Sequence, residues 1–222
     1  MLSQAIQDYL KTIYKLEEDG TVSTTAIAKE LNISGASVTG MLKRLASMKL
    51  VDYNSYKGVR LTNEGRKIAL EIIRHHRLLE LYLREALGFP LEKIHDEACR
   101  LEHVVSQDFL QKIEEILGNP EYDPHGHPIP SKDGDIEISN EKPLVNFRNG
   151  DVVIVKRLSD HDPQMLSYFE KMKILPSTII RIIDKAPFNG PITVFFNGES
   201  QIIGNEISKN IFVELYEEKE EN

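Results

Sequence analysis

The spacing of apolar residues changes character along this chain, and that change limits the possible folds more than any other property of the sequence. From residue 4 to residue 117 apolar side chains recur at helical intervals, interrupted once, at residues 50–61, by a short stretch of strand character. Beyond residue 150 they fall in short β-rich runs separated by turn residues. Helices first and a small sheet last define an α+β protein.

Within the helical part, Ile6, Tyr9, Leu10, Ile13, Tyr14 and Leu16 predict a first helix over residues 4–16, stopped by Asp19 and Gly20. Thr24 is placed to cap a short second helix over 25–31, and Asn32-Ile33-Ser34 is a tight turn into a third over 35–48. Leu50, Val51 and Tyr53, then Val59, Arg60 and Leu61, read as two strands joined at Tyr56-Lys57-Gly58. Two short helices, a tight turn and a hairpin make a winged helix-turn-helix. Asn63 then caps a long helix to about residue 86, Gly88-Phe89-Pro90 breaks it, and helices follow near 91–106 and 108–117.

Residues 118–142 are dense in Gly, Pro, His and Asp and read as a linker. The runs at 152–155, 179–183, 192–196, 201–203 and 211–215 predict a small β-barrel. The expected organisation is a winged helix-turn-helix domain over 1–70, a helical domain with linker over 71–142, a barrel over 143–216 and an acidic tail over 217–222.

The net charge of -8 conceals an asymmetry. Residues 1–70 carry 10 Lys/Arg against 7 Asp/Glu, or +3, which leaves the remainder with 17 basic and 28 acidic residues, or -11. A DNA-facing module joined to an acidic sensing body produces such a split. The single cysteine, Cys99, excludes an internal disulfide, and no apolar run is long enough to span a membrane. With no basic-then-apolar leader, the expected setting is the reducing cytoplasm.

In a helix-turn-helix the N-terminal residues of the second helix reach base edges in the major groove. Ser34, Ala36, Ser37, Thr39 and Gly40 occupy that place, and their small size favours close approach over bidentate readout. Lys43, Arg44, Lys49, Lys57 and Arg60 are the candidate phosphate anchors. The implied partner is double-stranded operator DNA.

The most informative stretch lies at residues 95–103, His-Asp-Glu-Ala-Cys-Arg-Leu-Glu-His. On a continuous helix His95, Cys99, Glu102 and His103 fall within an arc of roughly 100°. Four such donors flanked by Ile94, Leu101 and Val104 are costly to bury unless a divalent cation pairs with them. His76 and Glu80 form a second pair at i, i+4 on the preceding helix, with His75 one step around it. A hydrolytic zinc enzyme is disfavoured, because His95 is followed by Asp-Glu-Ala-Cys rather than the Glu-x-x-His of such sites. A metal-independent winged-helix protein whose His and Cys residues only pack remains the alternative from a different class.

These residues resemble the diphtheria-toxin-repressor, or DtxR/MntR, family of metal-dependent regulators. The pieces that carry the resemblance are residues 8–14 (Asp-Tyr-Leu-Lys-Thr-Ile-Tyr), the His-Arg-Leu-Leu-Glu run at 76–80, residues 95–103, and Pro-His-Gly-His-Pro-Ile-Pro at 124–130. The resemblance implies a homodimeric repressor of metal-uptake genes with a FeoA-like, Src-homology-3-like barrel. It implies a primary metal site at Asp8, Cys99, Glu102 and His103, and an ancillary site at His76, Glu80 and His95, completed by Asp123, His125 and Asp160. Iron-sensing members carry Met at the position of Asp8, many manganese-sensing members carry a carboxylate at that of Cys99, and Gln is frequent where Gly40 stands. The hard carboxylate of Asp8 points to manganese(II), the thiolate of Cys99 to iron(II) as runner-up.

Overall fold

The computed structural model describes residues 2–17, 20–137 and 140–217. The expected stop at Asp19 and most of the expected acidic tail lie outside the described residues. The chain divides into two compact units: Met1–His76 with Arg100–Leu110 and Pro130–Ile136, and Arg77–Cys99 with Gln111–Ile129 and Glu137–Asn222. No helix among the described residues is long and apolar enough to cross a membrane.

The first unit opens with α1 (Gln4–Leu16), α2 (Thr24–Glu30) and α3 (Gly35–Ser47), followed by a hairpin of β1 (Val51–Asn54) and β2 (Gly58–Leu61). The amphipathic faces of the three helices meet through Leu10, Ile13, Ile27, Leu42 and Leu45, all fully buried. Ser23, rather than Thr24, caps α2, accepting the Ala26 amide at 3.1 Å. Asn32, at φ 52°, turns the chain left-handed into Ser34, which caps α3 by accepting the Ser37 amide at 3.2 Å. The wing is tied back to the helices where Val22 and Val59 exchange backbone hydrogen bonds of 3.1 and 2.9 Å. Gly58 permits this approach: at φ +90°, a Cβ there would stand 2.4 Å from the Val22 carbonyl oxygen.

Thr62, one residue before the Asn63 expected from the sequence, caps the 23-residue α4 (Asn63–Glu85), accepting the Gly65 amide at 3.1 Å. Next come α5 (Leu91–Leu101) and α6 (Gln107–Ile116). The sequence predicted one helix through residue 106, but α5 stops at Leu101, and Glu102 and His103 stand in the turn after it. Ser106 begins the next helix, its hydroxyl accepting the Phe109 amide at 3.2 Å.

The second unit is built on a six-stranded antiparallel sheet: β3 (Lys142–Pro143), β4 (Val152–Leu158), β5 (Ile179–Lys185), β6 (Ile192–Phe196), β7 (Glu199–Ile203) and β8 (Ile211–Leu215), in the order β3-β8-β4-β5-β6-β7. Register shifts at Val155/Arg157 and Ile182/Asp184 add curl to this small sheet, whose ladders run linearly between β3 and β7. Its core side presents Val153, Val155, Ile180, Ile182, Val194 and Val213, all fully buried. Between β4 and β5 lies α7 (Pro163–Met172), absent from the sequence reading, and α8 (Asn205–Ser208) precedes β8. Asp162 caps α7, with Pro163 at its first position, and Phe169 packs fully buried from it.

Residues 120–130, read as linker from composition, are closely fixed. Tyr122 bridges to Pro128, the Leu158 amide donates to the His125 carbonyl at 2.8 Å, and Arg77 donates to the Pro128 carbonyl. Gly126 makes the contact with β4 possible: its φ is +91°, and a Cβ would lie 1.9 Å from the Lys156 carbonyl oxygen. A Gly126→Ala chain is expected to lose about 1–3 kcal/mol from the left-handed backbone alone, with the clash adding to it. Urea midpoints check this; an unchanged midpoint would show that the loop is not held against β4.

Candidate metal centres and the DNA-reading face

In the first unit α1 delivers Asp8, and the turn after α5 delivers Glu102 and His103, the three donors lying within 4.8 Å of one another. His103 Nε2 is 3.0 Å from Asp8 Oδ1 and 3.1 Å from Glu102 Oε1. Its other nitrogen, Nδ1, is 2.6 Å from the Gln7 side-chain oxygen and donates to it, which leaves Nε2 as the nitrogen turned toward both carboxylates. Glu102 is only 4% exposed. Its Oε2 accepts from His76 Nδ1 at 2.6 Å and its Oε1 from Lys11 Nζ at 2.5 Å. Burial by itself would raise the Glu102 carboxyl, but His76 and Lys11 outweigh it and hold it below the ordinary range. Burial pushes Asp8 up, with the nearby Glu102 charge adding to it, against the pull of His103 and Lys11. Two carboxylates and an imidazole suit a hard divalent cation, which would supply positive charge between them if it bound.

A second cluster lies within the other unit. Glu80 is buried on α4, with Oε1 3.2 Å from His95 Nδ1 and Oε2 3.8 Å from His125 Nδ1. Cys99, one turn after His95 on α5, holds its Sγ 3.6 Å from His95 Nε2. Asp123 Oδ1 lies 3.9 Å from His125 Nδ1 and accepts the amides of His125 and His127 at 2.8 and 2.9 Å, while Oδ2 is 3.3 Å from His127 Nδ1 and 3.7 Å from Arg77 Nε. Burial opposes ionisation of Asp123, yet the two histidines hold its carboxyl below the ordinary range.

His125 is wholly buried and neither of its ring nitrogens has a hydrogen-bond partner. Orphaning a buried polar group costs about 1–3 kcal/mol. A cation on Glu80 and His125 would remove that cost, so the donors of this cluster fit a metal. Asp160 is half-buried two residues beyond Leu158, with Oδ1 3.7 Å from His161 Nδ1.

Each sequence candidate thus has a place. Asp8, Glu102 and His103 come together, Glu80 stands beside both His95 and His125, Cys99 stands beside His95, and His76 turns its Nδ1 to Glu102. Gln7, Lys11 and His127 were missed. Gln7 and Lys11 are i, i+4 on α1 and flank Asp8, a spacing the sequence does display.

On the DNA-reading face the hydroxyls of Ser34 and Ser37 are 2.9 Å apart, and Thr39 donates to the Gly35 carbonyl at 2.9 Å. Ser34, Ala36 and Ser37 are exposed along the start of α3, Thr39 is partly buried, and Lys43 and Arg44 beyond them are exposed. Arg60 donates to Thr21 Oγ1 at 3.1 Å on the wing, and Lys57 and Tyr56 are exposed at its tip, Tyr56 at 98%.

A winged helix-turn-helix joined to buried clusters of carboxylate and imidazole defines the class of metal-dependent transcriptional regulators, not enzymes. Residues 1–59 match the family model of the iron-dependent repressor N-terminal DNA-binding domain, 62–131 that of the iron-dependent repressor metal-binding and dimerisation domain, and 142–215 that of the FeoA domain. The iron-dependent repressor IdeR of Mycobacterium leprae is 31% identical over 219 residues, covering 93% of this chain and 95% of its own length. The diphtheria toxin repressor of Corynebacterium efficiens is 32% identical over 215 residues, covering 93% of each. Among solved structures, a manganese-dependent transcriptional repressor in complex with manganese has a TM-score of 0.86 at 37% identity over 95% of this chain and 100% of its own. The manganese regulator SloR has a TM-score of 0.73 at 31% identity, over 95% and 98%. The chain belongs to the diphtheria toxin repressor family and is a metal-dependent transcriptional repressor.

Proposed function

We propose that this repressor responds to manganese(II), binds operator DNA as a homodimer in the cytoplasm and controls metal-uptake genes. The observation that carries the reading is the convergence of Asp8, Glu102 and His103, an oxygen- and nitrogen-donor set that suits manganese better than softer ions. Support also comes from the manganese-dependent repressor with the TM-score of 0.86. Iron(II) is the second reading, favoured by the Cys99 thiol beside His95 and by the iron-dependent relatives.

The working assignment takes Asp8, Glu102 and His103 as the primary set and Glu80, His95, Asp123 and His125 as the ancillary one; the assignment of Cys99 to the first and of His76 and Asp160 to the second rests on the family resemblance. It also keeps the functional division at residues 1–70, 71–142 and 143–216. Ser34, Ala36, Ser37 and Thr39 face base edges, and Lys43, Arg44, Lys57 and Arg60 neutralise phosphates. Asp8 belongs to the helix that packs under α2 and α3, whereas Glu102 and His103 belong to the turn after α5. Drawing these donors together steadies α1 and with it the reading helix. An allosteric coupling of about 1–3 kcal/mol per site corresponds to roughly 5- to 150-fold in DNA affinity.

The test is DNA binding at one fixed ionic strength with manganese, iron(II), zinc or chelator, since phosphate contacts make affinity steeply salt-dependent. Tightest binding with manganese is expected. Tightest binding with iron(II) would favour the runner-up, and equal binding with chelator would remove metal from the function.

A further inference from the structure

Lys11 sits on α1, one turn after Asp8, and is 9% exposed. Its ammonium stands 2.5 Å from Glu102 Oε1. That same oxygen is 3.1 Å from His103 Nε2, which is 3.0 Å from Asp8 Oδ1, so the ammonium abuts the oxygen that faces the three convergent donors. Glu102 Oε2 is already engaged by His76 at 2.6 Å. A cation approaching Asp8 and His103 can therefore recruit Glu102 only through an oxygen already paired with the Lys11 ammonium.

We infer that Lys11 is a built-in competitor for the metal, an affinity-setting residue that holds Glu102 before a cation binds and weakens binding when one does. This rests on the reading of Asp8, Glu102 and His103 as a metal site. The physical argument has two parts. Lys11 satisfies a buried carboxylate that would otherwise be costly, so it stabilises the protein without metal. Two cations sharing one carboxylate oxygen in a partly dehydrated site repel, so the same residue raises the metal concentration needed for occupancy. A side chain that merely oriented Glu102 would help both states. A competitor helps one and hinders the other.

The experiment uses the full chain and its Lys11→Met variant, which keeps the aliphatic stem and removes the charge, with Lys11→Gln as a second variant that retains a hydrogen-bond donor. Thermal midpoints are measured in chelator, and manganese affinity by competition with a fluorescent chelator. The expected result is opposite signs: a lower midpoint in chelator and manganese bound about tenfold more tightly, with Lys11→Arg close to wild type. Unchanged or weaker manganese binding in whichever neutral variant folds would overturn the inference while leaving the metal site in place. If Glu102→Gln binds manganese as wild type does, the site reading fails, and the inference with it.

Discussion

Replacing Glu102 with glutamine is expected to destabilise the chain by about 3–5 kcal/mol, the usual cost of removing one partner from a buried ion pair. The carboxylate is 4% exposed and engages Lys11 through one oxygen and His76 through the other. Glutamine matches its shape but cannot balance the Lys11 charge, and its amide nitrogen would face one of these two donors. Manganese binding at Asp8 and His103 should fall at least a hundredfold in the same variant. The acid dependence of stability should change as well. Glu102 is held below its ordinary pKa of 4.5, so its contribution is complete above 4.5 and is lost as the pH falls through the lower folded-state value. Urea midpoints across pH 3–7 check both statements; a wild-type midpoint in the variant would contradict the burial argument.

Asp8→Ala should behave differently, because the Asp8 side chain is one-third exposed and burial has already raised its carboxyl. Its loss should leave the fold intact. The effect falls on regulation: manganese should no longer strengthen DNA binding, a loss of roughly 5- to 150-fold at saturating metal, while affinity in chelator stays at the wild-type level. Fluorescence anisotropy with a duplex selected by the wild-type protein in manganese measures it. Full manganese activation in the variant would remove Asp8 from the switch.

Much of the fold was legible because the controlling signals are local. The winged helix-turn-helix follows from helical spacing, a turn at Asn32 and a hairpin around Gly58, and the strand runs after residue 150 reappear as β4 to β8. Caps slipped by one residue at Ser23 and Thr62, since each stands beside another acceptable cap and only the hydroxyl direction decides. The helix α7 was announced by Asp162-Pro163, a cap followed by the proline favoured at a first helical position, but its apolar residues were outweighed by the β-rich runs around it.

The candidate donors were legible for a similar reason, as histidine, cysteine and carboxylate at helical spacing are conspicuous. Their grouping was not. The helix stops at Leu101, so Glu102 and His103 stand in a turn rather than on a continuous helix, and contact with α1 depends on packing between segments 91 residues apart, as in the Lys11–Glu102 pair. Lys11 in particular reads as an ordinary charge on a surface helix until its partner is known. The segment around His125 looked like linker because Gly and Pro dominate it, yet those residues provide the tight backbone path that buries the imidazole.

The most direct measurement is anomalous scattering from crystals of the full chain grown with manganese, recorded on both sides of the manganese absorption edge. The account predicts a peak between Asp8 Oδ1, Glu102 Oε1 and His103 Nε2, with the Lys11 ammonium displaced from Glu102. A map in which Asp8 points to solvent and no manganese lies beside Glu102 would contradict it.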